Sequence, residues 1–283
     1  MPSAPALPPE PLPHPVVDNH THLEHARGEE VPVPLDVALA AAAGVGVTRV
    51  VQIGDDVPTS RWSVEAAQSS PAVLAGVALH PTEATRLLQE EGRAAYEAAW
   101  SEIARLAEHP RVVVVGETGI DHYWVGEDDE AGRAIQEESF RRHIDLAKRL
   151  GKVLQIHDRD AHASVLRILE EEGAPERTVF HCFSGDAEMA RHCLDRGWFL
   201  SFAGTVTFKN AEPLREALRL APADAVLLET DAPYLAPVPH RGRSNSSALL
   251  PWTVRATAEV RGVDLAEWCE RIDATSQAVY GPW

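Results

Sequence analysis

The sequence predicts a single-domain α/β protein of the (β/α)8 TIM-barrel type. Short runs rich in Val, Ile and Leu recur eight times, and segments with helical periodicity lie between them. Nearly continuous apolar runs are typical of parallel strands that are covered on both faces. Eight strands alternating with helices favour a closed barrel, for which a length of 283 residues is suitable. We expect this domain to span residues 16–283.

The predicted strands are residues 15–20, 48–54, 72–79, 111–117, 152–158, 178–183, 198–204 and 225–231. Among the helical segments, one apolar face is formed by Phe140, Ile144, Ala147 and Leu150. Gly151 follows them as the expected C-terminal cap. An open doubly wound sheet is the alternative fold, but no GxGxxG motif follows the first apolar run, so no motif supports it.

The N-terminal residues 1–15 contain seven prolines, without a basic cluster or an apolar signal-peptide core. This composition predicts a disordered, extended tail outside the folded domain. No run of 18 apolar residues is present, so no membrane span is expected. The three cysteines form neither a CxxC pair nor a zinc-knuckle spacing, which favours a reducing cytoplasm.

The net charge of −17 argues against a protein that coats nucleic acid without regard to sequence, because such coating needs a basic surface. The charge does not exclude a substrate that carries phosphate. A metal site can supply a positive field locally, inside a pocket, whatever the sign of the outer surface.

Ionisable side chains end five of the eight apolar runs. A strand that is covered on both faces should not end in such a group unless the group is satisfied by a partner. In a β/α barrel the carboxyl ends of the strands meet at one mouth, where catalytic residues gather. The candidate metal ligands at these ends are His20, His22, Glu117, His157, His181 and Asp231.

The residue types predict a divalent metal centre. Residues two apart on a strand point to one side, so His20 and His22 are expected to hold one ion. His157 and His181 are expected to hold a second ion, with Glu117 as the bridging carboxylate. This mixed nitrogen and oxygen set suits Zn²⁺, and also Mn²⁺ or Mg²⁺.

Asp231 completes the predicted centre. It is expected to ligate one ion and to accept the proton of the attacking water, so that Asp231 and Glu117 are the predicted catalytic residues.

These positions also carry a resemblance to a known family. The chain resembles the TatD family of metal-dependent deoxyribonucleases, within the wider amidohydrolase-like barrels, from residue 16 to about residue 240. The matching segments are DNHTH (18–22), GVALHP (76–81), VGETGIDHYW (116–124), IHDRDA (156–161), FHCFSG (180–185) and ETDAPYLAP (229–237).

The resemblance implies a TIM-like barrel and two or more divalent ions on the six candidate ligands. It also implies hydrolysis of phosphodiester bonds, typically the removal of nucleotides from a DNA end, with single-stranded DNA or an end bound transiently. The segment HRGRSNSSALLP (240–251) departs from the family pattern, because Ser244, Ser246 and Ser247 stand where Arg, Glu and Pro are expected. Loop geometry and substrate preference after the eighth strand are therefore open.

Three further residues are candidate substrate contacts. His80 ends the third run and Arg159 follows His157, so both could meet a phosphate at the barrel mouth. Trp124 lies on the loop after Glu117 and could stack on a base. A surface ion pair is the alternative for Arg159, and loop packing is the alternative for Trp124.

Two other functions stay open. The same metal centre could hydrolyse another ester, a lactone or an amide, as related barrels do. The chain could also be a metal-binding barrel without turnover that serves as a partner protein, although all six expected ligands are present.

Overall fold

The computed structural model describes residues 9–126 and 128–283. Within these ranges, eight strands and ten α-helices occur, and at least one helix follows every strand. The strands lie in the sheet in chain order, β1 to β8. The pairs β1–β2, β3–β4, β4–β5, β5–β6 and β7–β8 are parallel. The predicted (β/α)8 fold class is therefore confirmed.

The strands are β1 Val16–Thr21, β2 Val47–Gly54, β3 Val73–Val77, β4 Val112–Asp121, β5 Val153–Arg159, β6 Thr178–Phe180, β7 Phe199–Phe202 and β8 Val226–Leu228. The helices are α1 Leu35–Ala43, α2 Val57–Ser69, α3 Pro81–Arg86, α4 Arg93–Ala107, α5 Glu130–Leu150, α6 His162–Glu172, α7 Ala187–Leu194, α8 Glu212–Leu220, α9 Leu250–Arg261 and α10 Leu265–Tyr280. A π-helical turn, Leu87–Glu91, follows α3.

Three strand ends differ from the prediction in a way that matters for the site. β4 continues to Asp121, four residues beyond its predicted end. β6 and β8 end earlier than predicted, so that His181 and Asp231 lie in the loops just after their strands.

The chain divides into two compact units. The first combines Met1–Gln52 with Gly185–Trp283, and the second is Ile53–Ser184. The single-domain organisation over residues 16–283 stays a prediction.

The first unit contains the parallel pairs β1–β2 and β7–β8, with Val16 opposite Val47 and Leu200 opposite Val226. An isolated parallel bridge between Thr21 and Ala232 joins the end of β1 to the segment after β8. This bridge brings together parts of the chain that are about 200 residues apart in sequence.

The second unit is built around the parallel ladder β3–β4–β5–β6. On α5, the side chains of Phe140, Ile144 and Ala147 are buried, as their helical spacing predicted. Gly151 caps this helix in the left-handed region, with φ of 62°, which a residue without Cβ adopts without strain.

The N-terminal segment shows that the predicted tail is too long. Residues 9–15 are described, and the prediction of disorder is wrong for them. Leu12 is buried, and its N–H donates to the carbonyl of Val45 at 3.0 Å. Arg255 donates to the carbonyls of Glu10 and Pro11 at 2.8 and 3.1 Å. A proline-rich segment lacks internal hydrogen bonds, but here one leucine and a neighbouring arginine hold it in place. Residues 1–8 lie outside the described residues.

No helix in the described part of the chain combines the length and the apolar character that a membrane crossing needs.

Gly119 is required where β4 passes β5. It lies opposite His157 in the register, with φ of 145°, and a Cβ at this position would be 2.0 Å from the carbonyl oxygen of His157. A side chain here would push the two strands apart and displace the backbone of His157.

We therefore expect Gly119→Ala to lower the free energy of unfolding by about 3 kcal/mol or more, from backbone strain and overpacking together. Gly151→Ala is the matched control, because Gly151 also has a positive φ but no atom lies within 4 Å of the added Cβ. Urea denaturation of both variants measures the difference. Equal losses of unfolding free energy in the two variants would show that the close approach of β4 and β5 does not exclude a side chain at Gly119.

Candidate metal centre

The first cluster consists of His20 and His22, at the end of β1, and Asp231, in the loop after β8. Both histidines are buried, and their Nε2 atoms lie 3.1 Å apart. One carboxylate oxygen of Asp231 lies 3.7 Å from each of these nitrogens. The structure thus brings three of the predicted ligands of the first unit together.

Backbone pairing places Asp231 beside the two histidines. The N–H of Asp231 donates to the carbonyl of His20 at 3.0 Å, and the N–H of His22 donates to the carbonyl of Ala232 at 2.8 Å. Asp231 itself has φ of 53°, in the left-handed region. Non-glycine residues in this region are uncommon and are concentrated at functional sites.

Asp18 and Asn245, which the sequence analysis did not assign to the site, support this loop through Thr230. The buried carboxylate of Asp18 accepts from the N–H and the hydroxyl of Thr230, at 2.9 and 2.6 Å. Asn245 donates to the carbonyl of Thr230 at 2.8 Å. Burial raises the pKa of Asp18 to about 7. The residue before Asp231 is therefore fixed from both sides.

The second cluster consists of Glu117 on β4, His157 on β5 and His181 after β6. The Oε2 atom of Glu117 lies 2.8 Å from Nε2 of His181 and 3.1 Å from Nδ1 of His157. Burial opposes the charged form of His157, but hydrogen bonds that the ring donates to Asp121 and Glu117 outweigh it and raise the pKa of the imidazole. The three predicted ligands of the second unit are thus also brought together.

Asp121 is a buried residue of this region that the sequence analysis placed on a loop. Its Oδ2 lies 2.9 Å from Nε2 of His157, and its Oδ1 accepts from the N–H of Trp124 at 2.8 Å. These two hydrogen bonds overcome the effect of burial and lower the pKa of Asp121. The alternation of Glu117, Gly119 and Asp121 at every second position was the available signal that β4 continues to this residue.

His80, a predicted substrate contact, lies beside the second cluster and is the N-cap residue of α3. Its ring centroid lies 4.5 Å from that of His157, and its Nε2 lies 3.9 Å from Oε2 of Glu117. Its Nδ1 accepts from the N–H of Thr82 at 3.2 Å. Burial, followed by the nearby charge of His157, lowers the pKa of His80 to about 4. A neutral imidazole with one nitrogen directed toward Glu117 is the result.

The other two predicted substrate contacts lie together on the surface of the second unit. The Arg159 guanidinium lies over the ring of Tyr123, at 3.8 Å from its centroid. Tyr123 in turn meets the ring of Trp124 edge to face, with the centroids 5.1 Å apart. Trp124 is 68% exposed, so tight loop packing does not account for its position. No ion pair of Arg159 is found among the described residues, whereas its cation–π contact is clear.

The donor sets fit divalent ions. Ligand atoms about 2.1 Å from a tetrahedral zinc ion lie about 3.4 Å from one another. The three separations in the first cluster, 3.1, 3.7 and 3.7 Å, lie around this value. In the second cluster, the two separations from the shared carboxylate oxygen are 2.8 and 3.1 Å. Each cluster offers two imidazole nitrogens and a carboxylate, which is a set that Zn²⁺ accepts.

Comparison with known proteins extends over nearly the whole chain. A family model described as TatD related DNase matches residues 17–281. A Mycobacterium tuberculosis protein named as an uncharacterized metal-dependent hydrolase, TatD, is 50% identical over 246 residues, which cover 87% of this chain and 90% of that protein. The Bacillus subtilis metal-dependent hydrolase YabD is 36% identical over 251 residues, or 88% of this chain and 92% of that protein.

Among solved structures, the fold is similar to that of YjjV, a TatD homologue from Escherichia coli. The TM-score is 0.83 at 22% sequence identity, and the match covers 94% of this chain and 97% of that one. At this level of identity the likeness establishes the shared fold.

Proposed function

The chain belongs to the TatD-related DNase family, and on this premise we propose that it is a metal-dependent hydrolase that cleaves phosphodiester bonds and removes nucleotides from DNA ends. The observation that carries the proposal is the pair of clusters, each with two imidazoles and one carboxylate held within hydrogen-bond or near-contact distance.

We propose that two or more divalent ions, Zn²⁺, Mn²⁺ or Mg²⁺, bind on the six ligands of these clusters. The chemistry that such ions supply when bound is Lewis acidity and stabilisation of negative charge on a phosphoryl group. The protein's own contribution is to hold the ligands rigidly, through the backbone pairs at His20 and His22 and the β4–β5 register at His157.

Asp231 is the proposed general base. Its side chain is 13% exposed, whereas that of Glu117 is 7% exposed and lies against two imidazoles. The less enclosed carboxylate can accept a proton from water and pass it on to solvent. Glu117 keeps the role of a ligand.

The group formed by Arg159, Tyr123 and Trp124 supports a nucleotide as substrate. Arginine offers a fixed positive charge for a phosphate, and exposed aromatic rings offer faces on which bases stack. With a net charge of −17, binding of DNA has to be local and transient. His80 is a second proposed contact for the phosphate. A cytoplasmic location stays part of the proposal.

A direct test compares three substrates with metal-free protein that has been reconstituted with Mg²⁺, Mn²⁺ or Zn²⁺. The substrates are end-labelled single-stranded DNA, a p-nitrophenyl phosphate ester and a lactone. We expect stepwise shortening of the DNA, and shortening that is at least about 10²-fold slower from an Asp231→Asn preparation that is purified in parallel to exclude a contaminating nuclease. Faster turnover of the lactone would support the alternative hydrolase. Full metal uptake without any turnover would support a partner protein.

A further inference from the structure

The position of His157 between two carboxylates is the feature from which we draw a further inference. The β4–β5 register places His157 opposite Gly119, with Glu117 two residues before and Asp121 two residues after that point. Nδ1 of the imidazole lies 3.1 Å from Glu117, and Nε2 lies 2.9 Å from Asp121. Each ring nitrogen thus faces its own carboxylate.

The two carboxylates differ in how they are held. Asp121 is 1% exposed, and its second oxygen accepts from the N–H of Trp124, so the side chain cannot turn away. An ionised carboxylate only accepts hydrogen bonds, and a neutral imidazole carries one N–H. Because the carboxylate of Asp121 is held in place as an acceptor, the single hydrogen of the neutral imidazole stays on Nε2. A histidine binds a metal ion as the neutral imidazole, and in that form Nδ1 carries a lone pair directed toward Glu117. A cation shared by this nitrogen and the carboxylate would satisfy both acceptors.

We propose that Asp121 is a positioning residue that fixes the proton of His157 on Nε2 and thereby presents Nδ1 to a divalent ion. Histidine ligands commonly donate their other N–H to a carboxylate, which fixes the tautomer and the direction of the ring. The inference rests on the proposed metal site, but it concerns a residue outside the six ligands.

The competing possibility is that Asp121 is itself a ligand, in a set with His80 and Nε2 of His157. The ligand atoms of these three residues lie within 4.8 Å of one another. An ion on Nε2, in addition to one on Nδ1, would require His157 to lose both protons. The hydrogen bonds of Asp121 to Trp124 and His157 instead match the role of a fixed acceptor.

The first readout is the tautomer of His157 in metal-free protein. With ¹⁵N-labelled histidine at pH 9, and with His157→Gln to assign the signal, we expect a protonated Nε2 and an unprotonated Nδ1. In Asp121→Asn, one amide oxygen has to satisfy Trp124, so the amide N–H group is turned toward His157 and the tautomer shifts to Nδ1–H. An unprotonated Nε2 in the wild-type protein would overturn the proposal. This readout does not depend on catalysis, so it stands even if the proposed function fails.

The second readout is metal affinity, by competition with a chromogenic chelator. We expect Asp121→Asn and Asp121→Ala to lower the affinity for one ion by about 10–100-fold, with an unchanged number of ions bound at saturation. Asp128→Asn is the matched control, because Asp128 is an exposed residue of the same segment. Loss of one whole ion at saturation would show that Asp121 is a ligand. Unchanged affinity in both variants would show that it has no role toward the metal.

Discussion

Replacing Asp231 with asparagine is expected to lower kcat by at least about 10²–10⁴-fold, the usual contribution of a general base. The substitution removes the proton acceptor and nearly preserves the shape of the side chain. It also suits the backbone, because Asp231 has φ of 53° and asparagine tolerates the left-handed region. The pairing of its N–H with the carbonyl of His20 is a backbone contact that the variant keeps.

The experiment measures kcat, KM and metal content on a short single-stranded DNA. Asp224→Asn is the control, because it makes the same change at an exposed position of the first unit. KM should change little, since the proposed substrate contacts His80, Arg159 and Trp124 are left intact. If Asp231→Asn retains more than about a tenth of the wild-type kcat, the assignment of the base is wrong.

The second large effect is expected from Glu117→Gln. The carboxylate oxygen of Glu117 faces His157 and His181 at 3.1 and 2.8 Å. An amide carries no charge to attract a divalent ion, and its N–H group can donate to one of these imidazoles in place of the metal. We expect the affinity of the second cluster to fall by more than about 100-fold, a larger loss than for removal of a supporting residue. Turnover should fall with it.

Titration of the metal-free variant with Zn²⁺ measures this loss, and Glu176→Gln, at an exposed position of the second unit, is the control. Asp231→Asn should lose less metal than Glu117→Gln, because Asp231 lies 3.7 Å from its histidines and is the more exposed carboxylate. Wild-type affinity in Glu117→Gln would remove Glu117 from the ligand set. Equal loss in both variants would make Asp231 mainly a structural ligand, with the base elsewhere.

The residues that form the two clusters could be picked out from the sequence for a simple physical reason, although their role as ligands stays a prediction. An apolar run that ends in His, Glu or Asp marks the end of a buried strand, whether the residue is still in the strand, like His157, or just past it, like His181 and Asp231. The pattern of apolar residues is local in the sequence, so the strand end that it marks can be recognised without knowledge of distant contacts.

What the sequence could not show depends on contacts between distant residues. Residues 117–121, ETGID, look like a loop because three of the five are polar and one is glycine. They continue β4 because β5 pairs with them and Gln136 accepts from the N–H of Asp121. Leu12 lies in a segment whose composition predicts disorder, but the carbonyl of Val45 and the side chain of Arg255 hold that segment. Neither partner can be identified from local composition.

The bridge between β1 and the loop after β8 has a consequence for biosynthesis. A ribosome releases the chain from its N-terminus onward, so His20 and His22 emerge early. Their partners, Asp231 and the carbonyl of Ala232, are synthesised about 200 residues later. The second cluster needs only residues 117–181, which all emerge before then. On a nascent chain, all the residues of the second cluster are therefore available while the two histidines of the first are still without their carboxylate.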